Sequence, residues 1–165
     1  MASSRSVGME LPDVKNVFLT QKGSKEEILV DESIIKQFKN FSRIIRVSAY
    51  FIRFARNCKL KNNQINGPLN TVELQESLLA LARLSQGASF QTEINFLKDK
   101  KRITKGKLSS LNPFLGQADI LRVGGRLENS KFSEDKKHPI VIDSNHTFSK
   151  LIFQQEHVKL LHAAD

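Results

Sequence analysis

From Ser33 onward the chain carries a pattern that limits what it can become. Between Lys36 and Lys61 there are eight Lys or Arg and no Asp or Glu. Along the same stretch Ile34, Phe38, Phe41, Ile45, Ile52 and Ala55 recur at three- and four-residue steps, the period of a helix seam. Lys36, Lys39, Arg43, Arg46, Arg53 and Arg56 fall at their own helical spacing on another face. The pattern predicts one basic amphipathic helix over about residues 33–58, with Ser33 as its N-cap.

Such a helix can lie along a nucleic-acid backbone, on an anionic membrane surface or against a protein partner. Its plainest use is to pack the apolar face on the rest of the chain and turn the basic face to water. A second cluster, Lys98 to Lys107, holds six basic residues against Asp99 alone. The two clusters together exceed the net charge of +9 for the whole chain, so the remainder is net acidic. Clustered positive charge favours polyanion partners: DNA, RNA or an anionic membrane surface. Lys36, Lys39, Arg43, Arg46, Arg53, Arg56, Lys100, Lys101 and Arg102 are the candidate nucleic-acid contacts. Nothing in the pattern reads bases.

Further along, Lys59 to Pro68 reads as a linker, broken by Gly67-Pro68. A helix over about 70–86 then begins with Asn70 as cap and Glu73 three residues on, a capping box, flanked by Leu69 and Leu74 as a hydrophobic staple. Leu74, Leu78 and Leu81 form its buried stripe. Gln86-Gly87 is expected to weaken or kink it, because glycine costs about 1 kcal/mol in a helix interior. A further helix over about 89–98 carries Phe90, Ile94 and Leu97, and Lys100 to Lys107 follows as a basic loop. From Leu108 the elements shorten. Leu111–Leu115 and Ile120–Val123 pair as a hairpin around Gly116–Asp119. Gly124-Gly125 lets the chain bend, and His138 to Ile142 forms a third short strand with Pro139 at its start or edge. A last helix turns Phe148, Leu151 and Ile152 inward. Residues 1–32 are weakly patterned, with Val17–Leu19 and Ile28–Val30 as candidate short strands. The fold class is α+β.

Composition narrows the function. At 39% hydrophobic residues, against the usual 45–50% or so, only a modest core is expected. The length suits one domain, or a small domain with a helical arm. Cys58 is the single cysteine, so no intrachain disulfide forms. Met1 to Gly8 has no apolar stretch and is no signal peptide, and no run approaches the roughly 18 apolar residues of a bilayer span. The expectation is an intracellular protein of the nucleus or cytoplasm. No Gly-rich phosphate loop, serine triad or strand-borne carboxylate cluster is present, so the chain is not expected to be an enzyme by itself.

His157 and His162 are five residues apart. On a continuous helix they stand about 140° apart, so one ion reaches both only if the helix ends between them. A structural zinc site takes four ligands.

The blocks Leu111-Asn112-Pro113-Phe114-Leu115, Leu121-Arg122-Val123-Gly124-Gly125-Arg126-Leu127, His138-Pro139-Ile140, Leu151-Ile152 and His157-Val158-Lys159-Leu160-Leu161-His162-Ala163 stand in this order. So do the upstream pieces Phe41-Ser42-Arg43, Arg46-Val47, Arg53-Phe54, Thr71-Val72-Glu73-Leu74 and Phe90-Gln91-Thr92-Glu93-Ile94. Together they resemble the pol polyprotein of BEL/Pao-type retrotransposons, where the reverse transcriptase and RNase H part gives way to integrase. The match covers about Phe38 to Ala164, and the Leu121–Leu127 block is its most specific part.

The resemblance implies that 33–107 is a helical connection region and 108–145 a small β unit like the integrase N-terminal extension. It implies that 146–165 opens the zinc-binding domain, with His157 and His162 matching the first two ligands. In that family a Cys-x-x-Cys pair completes the zinc site and an acidic triad performs strand transfer. Neither is in this chain, so the expectation is a truncated element that holds no zinc stably and lacks catalysis. Its partners would be nucleic acid and the missing remainder of the integrase. The other reading is a host-retained protein-interaction module using the amphipathic helix 33–58. The family favours an acidic residue at the Gly116 position, glycine at the Asp119 position and glycine at the Ala164 position.

Overall fold

Asn40 divides the basic amphipathic pattern in two. In the computed structural model, which describes residues 19–20, 27–28, 32–60, 64–124, 131 and 133–162, α1 spans Glu32–Gln37 and α2 spans Phe41–Lys59. Asn40 is extended, and its side chain accepts a hydrogen bond from the Arg43 N–H at 3.0 Å. Short polar side chains of this kind compete for backbone donors and favour caps over helix interiors. The single helix expected over 33–58 is therefore two, and Ser33 lies inside α1 rather than capping it.

The linker expected over Lys59–Pro68 ends where α3, Thr71–Lys98, begins; Lys61 to Asn63 lie outside the described residues. The capping box is formed. The Asn70 side chain accepts from the Glu73 N–H at 2.8 Å, and Glu73 Oε2 accepts from the Asn70 N–H at 2.9 Å. The expected division into helices 70–86 and 89–98 appears as a kink, three residues beyond Gly87. α3 runs through Gln86 and Gly87, and its one non-helical residue is Phe90, at φ −131° and ψ 28°. Gln86 is fully buried and tied by its side chain to two later segments, which holds the helix where glycine would loosen it. At the far end Lys100 takes φ 57°. Its N–H donates to Leu97 C=O at 3.0 Å and the Lys101 N–H donates to Phe96 C=O at 2.9 Å, the two bonds of a Schellman stop.

The β unit follows. β3, Pro113–Leu115, pairs antiparallel with β4, Leu121–Val123, in the register Pro113↔Val123, Phe114↔Arg122 and Leu115↔Leu121. Residues Ser109–Leu111 make a 3₁₀ turn before it, so the strand is shorter than expected. The loop between the strands carries Ala118 and Asp119, both at φ 56°. The strand expected over His138–Ile142 is reduced to one bridge, Arg122↔Ile140. The Val123 N–H donates to Pro139 C=O at 3.2 Å and the Val141 N–H to Leu121 C=O at 3.1 Å. Pro139 has no N–H to extend the ladder. A short helix, α4, Glu134–Lys137, precedes it. Arg122 ties these pieces together, donating from Nη1 to His138 C=O at 2.6 Å and pairing with Asp135 at 3.0 Å. Space is tight at Gly124: a Cβ there would sit 3.1 Å from the Asn112 carbonyl oxygen. Gly125, Arg126 and Leu127 lie outside the described residues.

The last helix, α5, spans Thr147–His162. His146 caps it, with Nδ1 accepting from the Phe148 N–H at 3.1 Å. Phe148 is fully buried and Leu151 nearly so, in a core shared with Ile35, Ile44, Ile45, Leu81 and Ala82. The Phe41 and Phe148 rings lie 5.9 Å apart between centroids. Fully burying a side chain of this size stabilises a fold by roughly 1.5–3 kcal/mol, so α5 is bound to α2 and α3 through its first two turns. One core thus draws on residues from both sides of the expected boundaries at 107 and 145. Near the N-terminus, β1, Leu19–Thr20, and β2, Glu27–Ile28, pair antiparallel; the rest of the two candidate strands there, Val17, Phe18, Leu29 and Val30, lies outside the described residues. The architecture is α+β: a helical framework with small antiparallel sheets. Among the described residues no helix is long and apolar enough to cross a membrane.

Candidate nucleic-acid interface and the histidine pair

The two basic clusters meet different fates. Lys36, Lys39, Arg43 and Arg46 are exposed on α1, on α2 and on the residues between them. Lys100, Lys101 and Arg102 are exposed on the loop after α3, as are Lys105 and Lys107. Ile103 and Leu108 are buried, so apolar anchors pin this loop while the cations around them stay in water. Some of the charge is compensated locally. Lys101 pairs with Asp99 at 3.1 Å, and Lys98 and Arg83 reach Asp119 at 3.4 and 3.5 Å.

Arg53 is a correction. It is only 7% exposed and belongs to the α2–α3 junction, not to an open basic face. Its Nε and Nη2 donate to the two carboxylate oxygens of Glu73, each at 2.6 Å, and it also donates to Gly67 C=O at 2.6 Å and Pro68 C=O at 3.0 Å. Bidentate pairing of this kind is the strongest form of ion pair and satisfies most of the guanidinium donors. The hydrogen bonds from Arg53, helped by the Asn70 N–H, hold the Glu73 carboxyl at about 2, against its ordinary 4.5, although burial works the other way. Arg56 is half-buried and pairs with Glu76 at 2.7 Å. Both arginines therefore hold α2 to α3. Ser77 adds a third tie, its hydroxyl donating to Ile45 C=O at 2.8 Å.

The apolar face of α1 and α2 is covered by the protein itself. Ile35, Ile44 and Ile45 are core residues, and Phe38 and Phe41 pack against them. The exposed apolar side chains of α2 lie elsewhere: Tyr50 is 49% exposed and Phe54 67% exposed. They occupy the arc of the helix that also carries Arg43 and Arg46. Sequence reading missed this juxtaposition. Its signal was an aromatic pair four residues apart, in phase with two arginines and outside the seam. Gln86 was missed as well, since the glycine beside it drew the reading toward a break.

The helix holds the two histidine positions apart. α5 continues without interruption through His162, so the positions of His157 and His162 stand about 140° apart around one axis. The helix end needed between them is absent. His157 is exposed and stacks on Phe153, with ring centroids 6.1 Å apart and planes 6° from parallel. Among the described residues no group of three or more His, Cys, Asp or Glu is placed to hold a metal ion. Cys58 is exposed near the end of α2.

Comparison of this chain with protein-family models, with curated proteins and with solved structures finds no match.

Proposed function

We propose that the chain corresponds to the part of a BEL/Pao-type pol polyprotein that joins RNase H to integrase and opens the integrase zinc-binding domain. In this reading its contribution to DNA integration is sequence-independent binding of nucleic acid, without catalysis. One observation carries the reading. The blocks Leu111–Leu115, Leu121–Val123 and His138–Ile140, on which the resemblance rests and which are spread along the sequence, meet in a single β unit. That unit docks on α3, and exposed cations stand on α1, on α2 and on the loop after α3. A basic surface without base-reading groups attracts phosphates, and its binding is driven by counterion release.

Two measurements test it. Binding of the full chain to DNA should weaken on the order of 100- to 1000-fold between 50 and 200 mM salt, as expected for about five phosphate contacts. Affinity that ignores salt would sink the nucleic-acid role. The origin is tested by the coding DNA that follows the codon for Asp165: a Cys-x-x-Cys frame within a few tens of codons supports it. We also propose that His157 and His162 alone bind zinc weakly, since folding energy from a structural zinc site comes with the full ligand set. Stoichiometric zinc in the purified chain, found by elemental analysis, would contradict this.

A further inference from the structure

Resting on the nucleic-acid reading and narrowing it, we propose that the outer face of α2 is a site for single-stranded nucleic acid. At 100° per residue, Arg43, Arg46, Tyr50 and Phe54 fall within about 80° of arc. α2 contains no acidic residue anywhere along its length, so the charges that the helix itself brings to this face are all positive. Its two aromatic rings are 49% and 67% exposed, while the other large apolar residues of α2 are buried or half-buried. The Arg53 guanidinium lies 5.6 Å from the Tyr50 ring centroid, and Arg53 is itself clamped by Glu73, Gly67 and Pro68. Tyr50 is thus held from one side by a fixed group. Asn57, one turn beyond Phe54, exchanges two hydrogen bonds with the Ile65 backbone, both at 2.9 Å, and ties the chain after α2 to the far end of the strip.

Cations at one end of a strip and open aromatic rings at the other match an unpaired strand. Such a strand offers phosphates to the arginines and base faces to the rings, and stacking tolerates any base. A duplex offers the phosphates but keeps its base faces stacked inside. From Arg43 to Phe54 the helix rises about 16 Å, the span of roughly five nucleotides at the per-strand spacing of stacked DNA.

The test uses the full chain, a fluorescently labelled oligo-dT and a duplex of equal length, read by anisotropy at fixed salt. The wild type should bind the single strand more tightly. The double variant Tyr50→Ala with Phe54→Ala should lose about tenfold or more in single-strand affinity and change duplex affinity by no more than about twofold, since phosphate contacts are untouched. Tyr50→Phe with Phe54→Tyr should restore binding, which separates stacking from any effect on folding. Arg43→Ala with Arg46→Ala should weaken both ligands and lower the single-strand salt slope by about 1.4. Equal loss for strand and duplex, or no loss from the alanine pair, overturns the proposal and leaves general nucleic-acid binding standing. Binding to neither oligonucleotide overturns both. Capture by anionic vesicles that depends on Tyr50 and Phe54, with oligonucleotide affinity unchanged, overturns it in favour of a membrane surface.

Discussion

The side-chain amide of Gln86 pairs with the backbone of Leu121 as a neighbouring strand would. Oε1 accepts from the Leu121 N–H and Nε2 donates to the Leu121 C=O, both at 2.8 Å, and Nε2 also donates to Val141 C=O at 2.7 Å. One buried side chain therefore satisfies two segments of the β unit and fixes them on α3. Gln86→Leu keeps the bulk and removes every one of these bonds. The Leu121 C=O keeps the Val141 N–H, but the Leu121 N–H and the Val141 C=O lose these bonds; each buried backbone group left without a partner costs about 1–3 kcal/mol, so the variant should lose about 3 kcal/mol. In urea this is a fall in midpoint of roughly 1–2 M. An unchanged midpoint would show that apolar contacts alone dock the β unit.

Acid should attack the α2–α3 junction first. The Glu73 carboxyl sits at about 2 in the folded protein, below the ordinary 4.5, because Arg53 hydrogen-bonds its charged form. A lowered folded value means that the unfolded chain takes up the proton first as pH falls. The stabilisation is then complete above about pH 4.5 and is lost between there and about pH 2. Thermal melts across this window should show a steep decline in the wild type. Glu73→Gln should be less stable at neutral pH, by on the order of 5–10 °C, and should show a shallower acid slope. Parallel slopes for the two proteins would exclude Glu73 as the origin.

Two substitutions flanking Gln86 should act in the opposite sense. The Ser85 hydroxyl is fully buried and finds no hydrogen-bond partner among the described residues, so Ser85→Ala removes an unsatisfied group and should stabilise by about 1 kcal/mol. Gly87 is helical, and a Cβ there would meet only Gln91 Oε1 at 3.8 Å, an ordinary contact. Gly87→Ala should also contribute about 1 kcal/mol. Each should raise the melting midpoint by about 3 °C, measured by circular dichroism.

Lys100 occupies a position that suits glycine better. Its φ of 57° is left-handed, which costs a side-chain-bearing residue roughly 1–2 kcal/mol. Lys100→Gly should therefore stabilise the protein by about 1 kcal/mol. If the loop meets phosphate, the same change should weaken DNA binding and reduce the salt slope by about 0.9. A variant that is more stable and binds DNA as before would remove Lys100 from the interface.

What could be read from the sequence was local. Asn70 and Glu73 lie three residues apart and announce the start of α3. The hairpin and the inward side of α5 follow from spacing that a few neighbours enforce. Arg53 shows the limit. Arg46 and Arg53 are seven residues apart and share a helix face, yet one is exposed and the other buried. The Gly67-Pro68 turn and the first turn of α3 cover only the far end of α2, and that cover comes from 14 to 20 residues away. Gln86 was hidden for the same reason, its partners lying 35 and 55 residues on. The break at Asn40 was masked because Phe38, Phe41 and Ile45 keep a helical step across it. At the histidines the local signal was legible: Val158-Lys159-Leu160-Leu161 holds no glycine or proline to stop a helix, and the helix does not stop.

The separation of Gln86 from its partners also sets an order of assembly. Ties between α2 and α3 close across 20 to 32 residues, whereas the β unit is secured by closures of 35 and 55. Loop entropy grows with the length enclosed and must be met before the contact rewards it. The helical pair is therefore expected to form while the β unit is still free, and the β unit to dock late. Loosening Gln86 should then quicken unfolding and leave the folding rate nearly unchanged, so that in stopped-flow kinetics the variant reaches its native state as fast as the parent and leaves it sooner.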